Sequence, residues 1–389
     1  MKKPQVLRAD WHGFTVWNLL GDWTAAGLLD ALGQSPFRPP LPDQLAGSGW
    51  APIYDVTAAL GYEACVAAHL VGVAWRVDTK KVPKTAVTTL TAQMVGKLEE
   101  ENGRPCRDWE RDQLRDEAEL TIRQRTPPTT EGVIVVFDLV DHKVLVGTHK
   151  AAVLDNLSKV LRRDGVTHSR SSLVDQVVAF HPDAELGLAG TVMQDEGPTD
   201  GEATEPRPRE MERSVAHQAL TWAWWGYQRS EESLPTFRSQ ENDWAWALQG
   251  GLTLHLSTGE KRAVLHQDEA ARDPLARLAL LQGNQVGSCS LTLYVNDLEA
   301  ATLKVEVRED QLVLAGIDVG LKRKVGTVED RLLAEAFDRQ SAYLAWLDLL
   351  GHFGRLRGSD RYGQHLGSVR TWLSMQAQQD LANAISGAQ

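Results

Sequence analysis

The chain has 389 residues and a formal net charge of −11, from 41 Lys and Arg against 52 Asp and Glu. That length allows a sizeable core and two or three subdomains, and the acidic balance argues against wholesale coating of nucleic acid while leaving room for a local basic surface. No apolar run reaches the length that spans a bilayer, Met1-Lys2-Lys3-Pro4 is not followed by an apolar signal core, and Cys65, Cys106 and Cys289 are too scattered for a CxxC or zinc motif, so they read as reduced cytosolic thiols.

In chain order, a strand is predicted over Gly13 to Leu19. Thr24 caps a short apolar helix from Ala25 to Leu32 that ends at Gly33. Pro36, Pro39, Pro40 and Pro42 form a connection, followed by a Gly49-Trp50-Ala51-Pro52 turn. Cys65 to Arg76 is apolar and β-branched enough for a strand. Pro83 opens a helix in which Val87, Leu90, Met94 and Leu98 form an apolar stripe. Gly103 and Pro105 break it, and a second charged helix runs from about Cys106 to Arg125. Val133 to Val140 and Lys143 to Gly147 predict a hairpin across Asp141-His142. A basic helix follows, with Val153, Leu157, Val160 and Leu161 on its apolar face and Lys159, Arg162 and Arg163 near its C-terminus, where cations suit the dipole.

From Gln194 to Arg213 periodicity vanishes and Asp, Glu, Pro, Gly and Thr dominate, the composition of a disordered acidic linker. Beyond it lie Trp222, Trp224, Trp225, Tyr227, Trp244 and Trp246. Short strands are predicted at Leu252–Leu256 and Arg262–Leu265, then a helix at Glu269–Leu281. Strands at Ser290–Val295, Thr302–Val307 and Gln311–Ile317 lead to helices over Val328–Phe353 and Gly367–Ala384. The expected division is 1–75, an N-terminal α+β segment; 76–192, helix pair, hairpin and basic helix; 193–213, the linker; and 214–389, a C-terminal α+β domain with the Trp cluster.

The chemistry concentrates in the two charged helices. Lys80, Lys81, Lys84, Lys97, Arg104, Arg107, Arg111, Arg115, Arg123 and Arg125 are candidates to face phosphate. Arg107, Arg111 and Arg115 recur every fourth position and so share a stripe, with Asp108, Asp112 and Asp116 on the stripe beside it. Acidic residues are interleaved throughout, and the pattern taken alone favours a solvated helix pair laced with i,i+4 ion pairs. A second candidate is Leu321-Lys322-Arg323-Lys324, three adjacent cations after a strand. The tryptophans read as packing rather than base-stacking platforms, because no cations flank them. Catalysis finds little support: P-loop, HExxH and GxSxG motifs are absent, no metal and no cofactor are indicated, and the acidic residues Asp297, Glu306 and Asp310 near Lys304 fit no metal-nuclease spacing.

The Gly49-Trp50-Ala51-Pro52 turn, Arg76…Lys80…Pro83, Val95-Gly96-Lys97-Leu98-Glu99, Leu114-Arg115-Asp116-Glu117, Val133–Asp138 and Val160-Leu161-Arg162-Arg163 follow one another with the order and spacing of a known family. On these residues the chain resembles the bacterial recombination-associated protein RdgC family. Thr302–Val307, Gln311–Ile317, Leu321-Lys322-Arg323 and Ala336-Phe337-Asp338 are similar to its C-terminal part. The resemblance implies an α+β fold of mixed and antiparallel sheets with long charged helices, assembled as a ring-shaped homodimer. It implies a protein that encircles double-stranded DNA without sequence preference and restrains RecA-promoted recombination, with no enzymatic activity of its own. The implied partners are DNA, a second copy of the chain, and RecA or another recombination protein, in the cytoplasm at the nucleoid and away from membranes. Lys80, Lys81, Lys84, Lys97, Arg107, Arg111, Arg115 and Lys322, Arg323 and Lys324 would face the DNA.

Two departures stand out. Where the family carries an apolar, aromatic contact that closes the ring, this chain has Arg125-Thr126-Pro127-Pro128, which makes Pro127 and Pro128 the candidate closure. Met193 to Gln285 matches poorly and is longer than its counterpart. Two other readings stay open: a metal-dependent nuclease working with recombination proteins, and an acidic protein that inhibits a host repair enzyme.

Overall fold

The computed structural model describes residues 11, 13–53, 59–171, 173–184, 215–229, 234–255, 262–265, 273–281, 284–308, 311–319 and 328–386. The acidic stretch 193–213 and the Lys322–Lys324 motif lie outside the described residues. The chain forms two compact units, the first built mainly on 17–169 and the second on 170–326 and 333–389. Both combine helices with antiparallel strand pairs, as an α+β protein should.

The first unit runs β1 (Thr15–Leu19), α1 (Ala25–Leu32), β2 (Ala46–Pro52), α2 (Tyr62–Cys65), β3 (Val66–Ala67), β4 (Leu70–Thr79), α3 (Lys84–Asn102), α4 (Asp108–Arg125), β5 (Thr129–Asp138), β6 (Lys143–Val146), α5 (Ala151–Arg163) and β7 (His168–Arg170). The sheet order is β2-β4-β5-β6-β1-β7, with β3 on β4. Register decides which side chains meet. Val71 opposes Phe137 and Val73 opposes Val135; those two pair onward with Val144 and Val146; and Trp75 opposes Trp50. Side chains alternate along a strand, so all of these fall on one face. There they form a core with Leu28 and Leu32 of α1 and Leu157, Val160 and Leu161 of α5. Burying each such side chain is worth roughly 1.5–3 kcal/mol. The opposite face is buried too, through Ala74, Ile134, Val136 and Leu145.

Local signals account for several boundaries. Thr24 accepts a hydrogen bond from Gly27 N at 3.1 Å, capping α1 as predicted. Asp138 ends β5 with an Asx turn, its Oδ1 accepting from the N–H groups of Val140 at 3.0 Å and Asp141 at 2.9 Å. The predicted strand from Cys65 is shorter than expected: a helical turn and the β3 hairpin occupy its first residues, and β4 begins at Leu70. The predicted Gly49-Trp50-Ala51-Pro52 turn is instead the end of strand β2. Its sequence is too glycine-rich for a strong strand signal, and the reason for the glycines is tertiary. Residues 36–40 lie directly on β2, with Phe37 N donating to Trp50 O at 2.9 Å and Trp50 N to Ser35 O at 2.8 Å. A Cβ at Gly49 would stand 2.4 Å from Phe37 and Pro36 backbone atoms, and one at Gly47 2.4 Å from Arg38 O. The proline-rich segment thereby covers the edge of the sheet.

Asp164, just past α5, ties this corner down. Its buried carboxylate accepts from Trp50 Nε1 at 2.8 Å and from Ser35 Oγ at 2.5 Å. Trp50 is 1% exposed, so its indole N–H would otherwise be orphaned in the core.

The second unit contains α6 (Leu173–Phe180), α7 (Val215–Arg229), β8 (Thr236–Ser239), β9 (Asn242–His255), β10 (Arg262–Leu265), α8 (Pro274–Leu281), β11 (Gln285–Val295), β12 (Leu298–Arg308), β13 (Gln311–Val319), α9 (Val328–Arg357) and α10 (Tyr362–Ser386). Its sheet is ordered β10-β9-β11-β12-β13, with β8 on β9. The tryptophans pack, as their unflanked sequence predicts. Trp224, Trp225, Trp244 and Trp246 are all buried. Trp246 Nε1 donates to Ala223 O and Trp244 Nε1 to Ser239 O, each at 3.2 Å. Trp222 lies 5.5 Å from the Phe353 ring. Cys65, Cys106 and Cys289 are free and buried. No helix among the described residues is long and apolar enough to cross a membrane.

Gly49→Ala should destabilise the first unit by about 1–3 kcal/mol, because backbone atoms rather than a flexible side chain occupy the space. Thermal unfolding of the variant against the parent measures this; an unchanged melting temperature would remove the edge-covering role.

Candidate nucleic-acid interface

The candidate cations sit on an arm. β4 and β5 pair along their whole length, from Leu70↔Asp138 to Thr79↔Thr129. The chain between them, instead of a tight turn, is the α3–α4 helical hairpin. The hairpin leaves and re-enters the sheet at the same end, where Thr79 pairs with Thr129, so its two helices run antiparallel. At a rise of about 1.5 Å per residue, 19-residue α3 is about 28 Å long. The sheet core draws on neither helix. Of α3 and α4, only Val87, Glu110 and Ala118 are buried, and the predicted stripe residues Leu90, Met94 and Leu98 are half-exposed.

The turn joining the helices is held by two carboxylates. Gly103 takes a left-handed conformation with φ of 62°, which suits a residue without Cβ. Glu110 grips Arg104 through two hydrogen bonds, at 2.6 and 2.9 Å, and its carboxylate also accepts from Arg107 N at 2.8 Å. Glu99, on α3, accepts from Cys106 N at 2.8 Å and lies 3.5 Å from Arg111. The hydrogen bonds from Arg104, then that from Arg107 N, hold the Glu110 carboxyl down at about 2.

The candidate cations therefore divide by what they touch. Lys80 departs most from the expected solvent-facing role: it is 7% exposed, and its Nζ donates to the carbonyls of Leu41 and Pro42 at 3.0 Å each. It ties β4 to the proline-rich segment. Arg104 is engaged by Glu110, and Arg111 by Glu99. Arg123 pairs with Glu119 at 2.6 Å and donates to Asp43 O. Lys97 stands 3.8 Å from Glu101 on an exposed surface, a contact that leaves its charge largely available. Lys81, Lys84, Arg107, Arg115 and Arg125 are exposed and form no ion pair among the described residues. Pro127 and Pro128 are exposed in the link to β5.

Sequence spacing put Arg107, Arg111 and Arg115 on one stripe. In the structure that stripe borders α3, which is why Arg111 finds Glu99. The Asp108, Asp112 and Asp116 stripe points further out, and all three are exposed. The basic end of α5, read in the sequence only as cations that suit the helix dipole, also presents exposed Lys159, Arg162 and Arg163, the last 3.3 Å from Asp164. Their i, i+3, i+4 spacing was the available signal.

In the second unit the acidic residues near Lys304 do not converge. Asp297 belongs to the β11–β12 turn, with φ of 62°, whereas Lys304 and Glu306 are mid-strand. Asp310 lies outside the described residues. Among the described residues no group of three or more His, Cys, Asp or Glu side chains is placed to hold a metal ion.

Glu110→Gln should lower stability at neutral pH, because Arg104 and Arg107 N lose a charged acceptor. The native carboxyl sits at about 2 against an ordinary 4.5, so its contribution is complete above about 4.5 and fades as the pH falls toward 2. The melting-temperature gap between Glu110→Gln and parent should thus be widest near neutrality and narrow in acid; a gap constant down to the acid limit would assign the loss to packing.

Comparison with known proteins places this arm and its sheet together. Residues 13–176, under half of the chain, match the model of a family described as "Putative exonuclease, RdgC". No curated protein matches the chain. The matched segment carries the sheet from β1 onward, the whole arm and α5, and over that segment the chain is similar to the RdgC family.

Proposed function

We propose that this is a non-specific double-stranded DNA-binding protein that acts as a ring-shaped homodimer and restrains RecA-type recombination. The observation that carries the reading is the RdgC match across the arm, which covers every candidate cation from Lys80 to Arg125. Physical support comes from Lys84, Arg107, Arg115 and Arg125, exposed cations on the helix pair, and from Lys81 in the link that leads into it. Arginine and lysine contacts of this kind read phosphate and carry no sequence information, so preference among sequences should be slight. The net charge of −11 suits a protein whose acidic exterior confines nucleic acid to a basic surface. Inhibition would be steric, by a closed ring on the duplex, and needs no catalytic residue. Pro127 and Pro128 remain the candidate closure.

A second reading, a metal-dependent nuclease, has one observation in its favour, the word exonuclease in the family description. Labelled linear duplex incubated with Mg²⁺ or Mn²⁺ separates the two, since a ring binder returns the DNA intact and a nuclease shortens it.

Binding of a short duplex, titrated against salt, should fall with a log–log slope of about −0.9 per phosphate contacted, or about −4.5 if the five free cations of one protomer engage. Arg107→Glu with Arg115→Glu should shrink the slope by about 2. Lys80→Met should lower thermal stability and leave the slope alone, because its ammonium is spent on Leu41 and Pro42. A flat salt dependence, or a slope insensitive to Arg107 and Arg115, would remove the arm from the interface.

A further inference from the structure

One face of the arm is unsuited to DNA and is exposed in a different way. Trp109 is 59% exposed and Leu120 40% exposed. At about 100° per residue they lie within about 20° of each other around α4, and about 16 Å apart along its axis. Ala118, nine positions after Trp109 and so on the opposite side of the helix, is fully buried where α4 meets α3. Trp109 and Leu120 therefore define the face of α4 turned directly away from its partner helix. Single exposed apolar residues are ordinary; a tryptophan and a leucine in register on one outward stripe are less so.

The charge around that stripe has one sign. Asp112 and Asp116 flank it on one side and Glu117 on the other, all exposed. The cation on this half of the helix, Arg123, is held by Glu119 at 2.6 Å. Arg107, Arg111 and Arg115 lie on the half that borders α3. A phosphate backbone laid along Trp109 and Leu120 would meet Asp112 and Asp116. A second copy of α4 packed antiparallel, with Trp109 on Leu120, would bring the same edge of each helix together and set Asp112 against Asp116 of that copy, a like-charge contact. A cationic segment meets neither obstacle.

We propose that this outward face of α4 docks a cationic amphipathic helix of another protein. Its apolar side chains would cover Trp109 and Leu120, and its Lys and Arg residues would pair with Asp112, Asp116 and Glu117. The apolar pair supplies affinity, tryptophan being among the strongest interface anchors. The acidic rim selects the partner's sign and speeds encounter. The proposal is independent of DNA binding: phosphate is assigned to the opposite edge of the same arm, so either reading can fail without the other.

The test uses the full chain and a fluorescein-labelled amphipathic helix of leucine and lysine, followed by anisotropy. Saturable binding that weakens with salt is expected. Trp109→Ala with Leu120→Ala should lower affinity about tenfold or more, with circular dichroism and melting temperature unchanged because both side chains are largely solvated. Val140→Ala, at an apolar residue 66% exposed elsewhere in the same unit, should change nothing. Asp112→Asn with Asp116→Asn should flatten the salt dependence. Parent-like binding by the Trp109/Leu120 variant, or equal binding of a leucine–glutamate helix, overturns the proposal. Sedimentation showing self-association that Trp109→Ala abolishes also overturns it, by giving the face to a second copy; loss of duplex binding in Trp109→Ala does so by giving it to nucleic acid.

Discussion

The β4–β5 ladder sets both the core and the arm. Ten consecutive pairs, from Leu70↔Asp138 to Thr79↔Thr129, hold two central strands in a single register. A slip by one residue would turn Val71, Val73, Val135 and Phe137 out of the core together. The same ladder brings the ends of the α3–α4 hairpin side by side, so the helices project from the sheet as a pair. A tight two-residue turn would have satisfied the strands equally well. The chain spends its connection on a solvated helical arm, and its exposed charge on that arm.

The arm has a shallow interior. Val87 and Ala118 are buried, while Leu90, Met94, Leu98, Leu114 and Ile122 remain half-exposed. Stability at its turn rests on polar contacts: the Glu110 clamp on Arg104 and Arg107, and the Glu99 contacts with Cys106 and Arg111. The price is functional, because guanidiniums used to build the turn are less available to a ligand. The basic surface of the arm is therefore sparser than its sequence suggests, and it lies on the opposite edge from the Trp109 face.

Lys80 illustrates how burial reassigns a charge. In sequence it stands beside Lys81 and Lys84 and reads as part of a basic cluster. In the fold it is at the end of β4, where the proline-rich segment crosses, and two carbonyls from Leu41 and Pro42 replace its water. Glycines do the complementary work nearby. Gly47 and Gly49 let that segment lie on β2, and Asp164 anchors Trp50 and Ser35 beneath it. Lys80 is 38 and 39 residues from its two carbonyls, and Asp164 is 114 and 129 residues from Trp50 and Ser35, so no periodicity could announce these contacts.

Much of the secondary structure was legible because its causes are local. The Thr24 cap, the Gly103 stop, the apolar run of Val133 to Phe137 and the i, i+3, i+4 face of α5 act over a few residues, and the elements formed where they predict. The RdgC resemblance was legible as well, since it resides in the order and spacing of those elements. Tertiary structure decided what local pattern leaves degenerate. It made Gly49-Trp50-Ala51-Pro52 a covered edge strand rather than a turn. It drew Lys80, Arg104, Arg111 and Arg123 into internal contacts and left Lys81, Lys84, Arg107, Arg115 and Arg125 exposed. A charged side chain on an exposed helix looks the same in sequence whichever way it is used; only the distance to its nearest acceptor, set by how distant segments pack, separates a structural cation from one available to a ligand.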